Sequence, residues 1–157
     1  MSHPKVSICI PSYNLAGFIE RTIDSVLAQT FTDWELLIED DGSTDGSVEL
    51  LNKYVDQGIS IVFKDHNEGQ NKTTNNLVQR AKGEYLCLLP ADDFWVADKL
   101  EKQVAWLDAN PDCGIVFGHP RFINSGGDFK YPQEGIEDIR NNTRFDWQER
   151  FRQGNCF

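Results

Sequence analysis

Residues 34–45 read WELLIEDDGSTD, an apolar run that breaks off at Asp40-Asp41. Two other stretches have the same form. VSICIPSYN, residues 6–14, ends at Pro11-Ser12-Tyr13-Asn14, and EYLCLLPADDFW, residues 84–95, runs into Asp92-Asp93. If the apolar runs are parallel strands of one sheet, the three polar clusters meet along its carboxyl edge. Ligands bind at that edge in open α/β sheets. Two carboxylate pairs brought together there repel each other unless a cation or hydrogen-bond donors compensate. The pattern points to a polar ligand accompanied by a metal.

Outward from these stretches, strand and helix patterns alternate. Lys5 to Ile10 reads as a buried strand, and Phe18, Ile19, Thr22, Ile23, Val26 and Leu27 then recur at helical spacing. Trp34 to Ile38 is a second strand. Ser43-Thr44-Asp45 offers caps to a helix carrying Val48, Leu51, Tyr54 and Val55 on one face, stopped by Gly58. Ile59 to Phe63 is a third strand and His66 to Gln70 a polar loop. A helix from about Lys72 to Lys82 follows, closed by Gly83 as its C-terminal glycine. Tyr85 to Leu89 is a fourth strand. Val96, Leu100, Val104 and Leu107 mark a further helix ending near Asn110-Pro111, and Ile115 to Phe117 is a fifth strand. This alternation predicts βαβ units and a mostly parallel sheet flanked by helices. Beyond Gly118 the pattern weakens. Arg121 to Asn124 and Asp128 to Tyr131 flank Ser125-Gly126-Gly127 as a hairpin, Gln133 to Asn142 reads as a loop, and Phe145 to Phe151 as an amphipathic helix. Gly154 to Phe157 looks like the start of another element, so the sheet is expected to be incomplete at its C-terminal side.

The length of 157 residues suits one domain, and 39% hydrophobic with 25% charged residues is ordinary for a globular protein. A net charge of -10 argues against nucleic acid as a partner, because phosphate backbones need Lys and Arg to neutralise them. It does not exclude a small anionic ligand, since one divalent cation reverses the local field. Cys9, Cys87, Cys113 and Cys156 form no CxxC pair and read as reduced thiols. MSHPKVS lacks the apolar region of a signal peptide, and no apolar run approaches the roughly 20 residues that span a bilayer. The expected compartment is the cytoplasm.

Helix capping accounts for Asp41 and Asp45 but less well for Asp40, which sits at the strand end. Asp92 and Asp93 are not needed for capping, since Asp98 is the better local cap. A divalent metal held by one or two carboxylates plus ligand phosphates matches a magnesium or manganese site. Tyr13 is placed to stack on a flat base. Lys72 lies at a helix start, where a phosphate would be welcome, although a solvated lysine explains it equally well. There is no GxGxxG and no GxxxxGK[ST], which disfavours a dinucleotide site or P-loop, and the three histidines lack metal-ligand spacing.

Taken together, P-S-Y-N, D-D-G-S-T-D and A-D-D-x-W at these spacings resemble the opening of family 2 glycosyltransferases, which have the GT-A fold. The resemblance covers about residues 4–118, the nucleotide-sugar-binding part, with 119–157 the start of an acceptor-side region. It implies an inverting enzyme that transfers sugar from a nucleotide diphosphate to an acceptor hydroxyl, in surface polysaccharide or glycoconjugate synthesis. The implied donor is a UDP-sugar, and the implied acceptor a saccharide or lipid-linked molecule. By position, the backbone around Pro11 and the ring of Tyr13, beside Asn14, border the base. Asp40 hydrogen-bonds the base, with Asp41 next to it in the nucleotide site. Asp92 contacts the ribose or metal region, and Asp93 binds Mn2+ or Mg2+. The resemblance also implies work beside the inner face of the cell membrane. Two departures stand out. Pro90 replaces the first Asp of the family's D-x-D-D, and Glu134, Glu137 and Asp138 lie before the expected position of the catalytic base, which is expected beyond Phe157. A receiver-type signalling domain and a non-catalytic nucleotide-sugar-binding module are the rival readings.

Overall fold

The computed structural model describes residues 3–118 together with 122–123 and 129–130. Its first compact unit, Met1–Val116, is built on strand β1, Val6–Ser12. Helix α1 (Ile19–Leu27), strand β2 (Trp34–Asp40), helix α2 (Ser47–Asn52), a 3-10 turn (Val55–Gln57) and strand β3 (Ser60–Phe63) follow. Helix α3 (Gln70–Arg80), strand β4 (Tyr85–Leu88) and helix α4 (Lys99–Ala109) complete it. The sheet order is β3-β2-β1-β4, and every pairing in it is parallel. This is the mostly parallel, helix-flanked sheet that the sequence predicts.

β1 is central, and all but one of its residues are buried, as expected of a parallel strand covered on both faces. Val6, Ile8 and Ile10 point to one side. There they pack with Leu36 and Ile38 of β2, Ile19, Ile23 and Val26 of α1, Leu51 of α2, and Leu100 and Val104 of α4. The other face is smaller, with Cys9, Leu37 and Leu77 forming a cluster beneath α3. Cys9 is buried and free, and burial first of all pushes its thiol up to about 11.

Several boundaries differ from the sequence reading. Ile115 to Phe117 forms no strand; Ile115 and Phe117 are 59% and 65% exposed. Three residues supply few ladder bonds against the entropy of ordering a non-local parallel strand. α2 ends at Asn52, so Tyr54 reaches the core from the turn after it and Val55 is exposed. Phe18, Leu27 and Val96 are exposed as well, leaving the buried face of α1 to Ile19, Thr22, Ile23 and Val26. The N-cap position of α2 is Gly46, yet Asp45 does the capping one residue earlier: Oδ1 accepts the Ser47 N–H at 3.0 Å. The hairpin pairing after Gly118 is present as β5 (Phe122–Ile123) against β6 (Phe129–Lys130), antiparallel, in the second unit, Phe117–Phe157. The turn between them, Gln133 to Asn142, Phe145 to Phe151 and Cys156 lie outside the described residues.

Gly83 does not cap α3, which ends at Arg80 with Ala81 already extended. The glycine is needed for a close approach: a Cβ there would lie 2.4 Å from the Ser7 backbone nitrogen and 2.7 Å from the Val6 carbonyl carbon. The Gly83 N–H donates to Ser7 Oγ at 2.7 Å, so the chain entering β4 is pinned against β1. Gly83→Ala is expected to destabilise the protein by about 2 kcal/mol, the scale of overpacking. Urea unfolding checks this, and an unchanged midpoint would show that the approach has slack.

Candidate functional site

From β1 the chain steps outward through β2 and β3, then returns to the other side of β1 as β4. The reversal between β1 and β4 opens a crevice at the strands' carboxyl ends. A cleft of about 390 Å³ lies there, within the size range of small-molecule sites. The end of β1 contributes Pro11, Ser12 and Tyr13 to it, and the turn after β2 contributes Asp41. Asn67, Gln70 and Thr73 line it from the loop and helix after β3, and Pro90, Ala91 and Asp92 from the segment after β4. Tyr13 is 43% exposed, leaving its ring available to a ligand, whereas the Ser12 hydroxyl is buried without a hydrogen-bond partner among the described residues.

The two carboxylates after β2 have different surroundings. Asp40 is fully buried and lies outside the cleft lining; its Oδ1 accepts the Ser43 N–H at 2.9 Å and its Oδ2 the Ser43 hydroxyl at 2.6 Å. Ser43 Oγ in turn accepts the Asn14 N–H at 2.8 Å, and Asn14 Oδ1 accepts the Thr44 N–H at 2.8 Å. Asn14 has a left-handed φ of 53°. Asp40 and Asn14 thus join the β1 and β2 loops to each other, and neither is among the residues lining the cleft.

Asp41 faces the cleft. Its Oδ1 accepts the Glu68 N–H at 3.0 Å and its Oδ2 the Gly69 N–H at 2.9 Å. Burial alone would push this carboxyl up, but the two N–H groups and the Lys64 charge more than offset it, and it titrates below the ordinary aspartate range. Beside it Gly42 has φ +78°, and a Cβ there would sit 2.6 Å from the His66 carbonyl carbon, so no larger residue fits this turn.

Lys64 ties the acidic residues together. Its Nζ lies 2.9 Å from Glu39, 2.6 Å from Glu68 and 3.6 Å from Asp41. Desolvation lowers its pKa, but Glu68 and Glu39 outweigh that and raise it well above the usual lysine value. Glu39, 2% exposed, is also met by Asn76 Nδ2 at 2.9 Å and Arg80 at 3.5 Å. Glu68 is held down to about 2 by hydrogen bonds from Lys64 and then Lys72. Lys72, an expected phosphate contact, is therefore engaged by Glu68 and is not part of the cleft lining. Sequence reading missed this network. The available signal was Glu39 itself, a charge inside an apolar strand, which burial obliges to find partners.

Asp92 lines the cleft and Asp93 follows it; neither side chain makes a hydrogen bond or ion pair among the described residues. Asp93 is exposed as a residue, yet partial desolvation of its carboxyl, and then the Asp92 charge, raise its pKa. No group of three or more His, Cys, Asp or Glu residues could hold a metal among the described residues. Two like-charged oxygen donors without a protein cation still fit Mg2+ or Mn2+, which usually take one or two carboxylates and fill the remaining positions with phosphates and water.

The model of the family described as "Glycosyl transferase family 2" matches residues 7–157, and the chain belongs to that family. It is 42% identical over 106 residues to TuaG of Bacillus subtilis, a glycosyltransferase assigned to teichuronic acid biosynthesis, covering 66% of this chain and 42% of that one. It is 34% identical over 132 residues to the Escherichia coli UDP-Glc:alpha-D-GlcNAc-diphosphoundecaprenol beta-1,3-glucosyltransferase WfgD, covering 82% and 52% respectively. The chain spans about half the length of these curated relatives. Among solved structures, Staphylococcus aureus TarS with UDP-GlcNAc superposes with a TM-score of 0.64 at 26% identity, covering 68% of this chain and 32% of that one. The Pyrobaculum calidifontis mannosyltransferase with GDP-Man and Mn2+ gives 0.61 at 26% identity, covering 68% and 33%. The fold is GT-A. Family membership removes the receiver-domain reading, in keeping with acidic pairs after β2 and β4 and not after β1.

Asp41→Asn would turn an amide –NH2 toward one of two backbone donors. A carboxyl whose folded pKa lies below its unfolded value of about 3.9 contributes stability that is complete above that pH and is lost as pH falls through the folded value. The variant is therefore expected to be less stable at pH 7 by about 1–3 kcal/mol, with the deficit shrinking below about pH 4. Urea midpoints across pH check this; a deficit independent of pH would contradict the role of the charge.

Proposed function

We propose that this chain carries the nucleotide-sugar-binding part of an inverting glycosyltransferase of surface polysaccharide or glycoconjugate synthesis. In this reading residues 4–118 form the donor side and 119–157 begin the acceptor side. The observation that carries the proposal is the convergence of Tyr13, Asp41 and Asp92 on one cleft at the strand-order reversal. The similarity to structures holding UDP-GlcNAc and GDP-Man with Mn2+ supports it.

Tyr13 stacks on the base and the backbone around Pro11 borders it. The base contact moves from Asp40 to Asp41: Asp40 is fully buried and lies outside the cleft lining, whereas Asp41 lines the cleft. An acceptor-only carboxylate suits a base edge presenting N–H, as uracil does. Asp92 lies toward the ribose and diphosphate, and Asp93, with Asp92, would hold a divalent cation. When bound, that cation neutralises charge on the departing diphosphate. The acceptor hydroxyl belongs to a saccharide or lipid-linked molecule, and the catalytic base is assigned to none of the described residues. The setting is the cytoplasmic side of a membrane, with peripheral attachment; no helix among the described residues is long and apolar enough to cross one.

Calorimetric titration with UDP, GDP and dTDP, first in Mn2+ and then in EDTA, tests the reading. Tight metal-dependent binding of one nucleotide, UDP by expectation, supports it, and no binding by folded protein overturns it. Asp93→Ala should abolish the metal dependence without unfolding the chain; wild-type affinity in Mn2+ would remove the cation from this residue. Tyr13→Ala should weaken nucleotide binding by about 1–3 kcal/mol, the scale of an aromatic stack on a base, and an unchanged affinity would take the ring out of the site.

A further inference from the structure

The segment that follows β4 is fastened along one side of α1. Thr22 Oγ1 donates to the Ala91 carbonyl at 2.8 Å, in a buried position. The Arg21 guanidinium lies 3.6 Å from the centroid of the Phe94 ring. Ser25 Oγ accepts the Trp95 N–H at 3.1 Å while donating to the Thr22 carbonyl at 2.7 Å. Gln29 Nε2 donates to the Val96 carbonyl at 2.8 Å, and its Oε1 accepts the Leu100 N–H at 3.0 Å. Thr22 and Gln29 are buried polar residues, 1% and 5% exposed, and besides a bond back to their own helix turn (Thr22 to the Phe18 carbonyl at 3.3 Å, Gln29 to the Ser25 carbonyl at 3.0 Å) each reaches this segment.

These contacts bracket Asp92 and Asp93. Ala91 is fastened before them, and Phe94 and Trp95 after them, while the two carboxylates themselves remain without a hydrogen-bond partner or counter-charge among the described residues. Like-charged neighbours on a free loop would separate to reduce their repulsion. Flanks anchored to a helix remove that option.

We propose that Thr22, with Ser25, is a positioning residue for the Asp92–Asp93 pair: the hydroxyl row on α1 holds the backbone on either side, so the two carboxylates are presented together for a divalent cation. The proposal rests on the donor-site reading above. It adds a role for a helix that does not line the cleft. Residues supporting metal ligands in this way typically alter metal affinity by 10- to 100-fold when removed.

The test uses the full chain with Thr22→Val, which keeps the shape and loses the donor, and Thr22→Ser, which keeps the donor. Ser25→Ala serves as a second variant should Thr22→Val fail to fold. Electron paramagnetic resonance of free Mn2+ measures metal affinity, alone and with UDP, and calorimetry measures UDP binding in EDTA. Thr22→Val and Ser25→Ala should weaken Mn2+ binding on the order of 10-fold, Thr22→Ser should restore it, and UDP binding in EDTA should be unchanged because Tyr13 and Asp41 sit on other elements. Wild-type Mn2+ affinity in Thr22→Val, failure of Thr22→Ser to restore it, or an equal loss of UDP binding in EDTA would overturn the proposal. If the wild type itself binds neither Mn2+ nor UDP, the donor-site reading has failed instead. Amide hydrogen exchange over residues 91–95 then decides the positioning role: faster exchange in Thr22→Val, reversed in Thr22→Ser, supports it, and unchanged exchange overturns it.

Discussion

One ammonium group, that of Lys64, makes the acidic end of β2 possible. Glu39 is buried there as a charge, and a buried carboxylate stripped of its partner costs about 3–5 kcal/mol, a large share of a typical domain stability of about 5–15 kcal/mol. Lys64 offsets that cost and also reaches Glu68 and Asp41. Its own backbone N–H donates to the Asp40 carbonyl at 2.9 Å, so the main chain that carries the ammonium is held beside the end of β2. With that charge in place, Asp41 can be buried and remain ionised, and its two oxygens can bind the loop that leads into α3. Without it, Glu39, Asp41 and Glu68 would crowd one strand end with Arg80, 3.5 Å from Glu39, and Lys72, paired with Glu68, as the cations left, and neither of those is paired with Asp41.

The two sides of the cleft are held by different means. On the β2 side a carboxylate is fixed by backbone N–H groups and a lysine, and its charge is already compensated by protein. On the β4 side the carboxylates are uncompensated, and the chain around them is fixed by side chains of α1. This division follows from topology. β2 lies between β1 and β3, so the loop after β3 is close enough to supply donors to Asp41. β4 lies beyond β1, and the nearest preceding element that can hold its carboxyl-end segment is the helix that leaves β1.

The sheet was legible in the sequence because β1, β2 and β4 are apolar runs with polar residues at the same end, and the register that sets Ser12 opposite Asp40 brings those ends level. The finer assignments were not legible, because each depends on a contact with a distant part of the chain. Asp41, and not Asp40, faces the cleft, held by the Glu68 and Gly69 N–H groups, and the turn beside it at Gly42 passes too close to His66 for a side chain. Gly83 occupies a place where a helix-ending glycine is common, yet it answers to Ser7, seventy-six residues away along the chain. Lys72 and Lys64 look alike in sequence, and both end up on Glu68; only Lys64 is also within reach of Glu39 and Asp41. Thr22 fell within the periodic face of α1 and read as packing, although its hydroxyl has a partner sixty-nine residues on.

The charge distribution sets the order in which a ligand of this kind can be accommodated. Asp41 and Glu68 are depressed in pKa by protein donors, whereas the Asp93 carboxyl is raised by desolvation and by Asp92. A diphosphate brought alone to Asp92 and Asp93 would add negative charge to negative charge, in a chain whose net charge is -10. Lys72 does not relieve this, since Glu68 engages it. A divalent cation changes the sign of the interaction for both partners at once, attracting the carboxylates and the phosphates. The base, in the proposed site, would by contrast meet a compensated carboxylate and an aromatic ring, neither of which needs a metal. Nucleotide recognition in the proposed donor site therefore separates into a metal-independent part at Tyr13 and Asp41 and a metal-dependent part at Asp92 and Asp93. In the proposed donor site, the cation and the diphosphate are then expected to bind cooperatively, because each removes the repulsion that opposes the other.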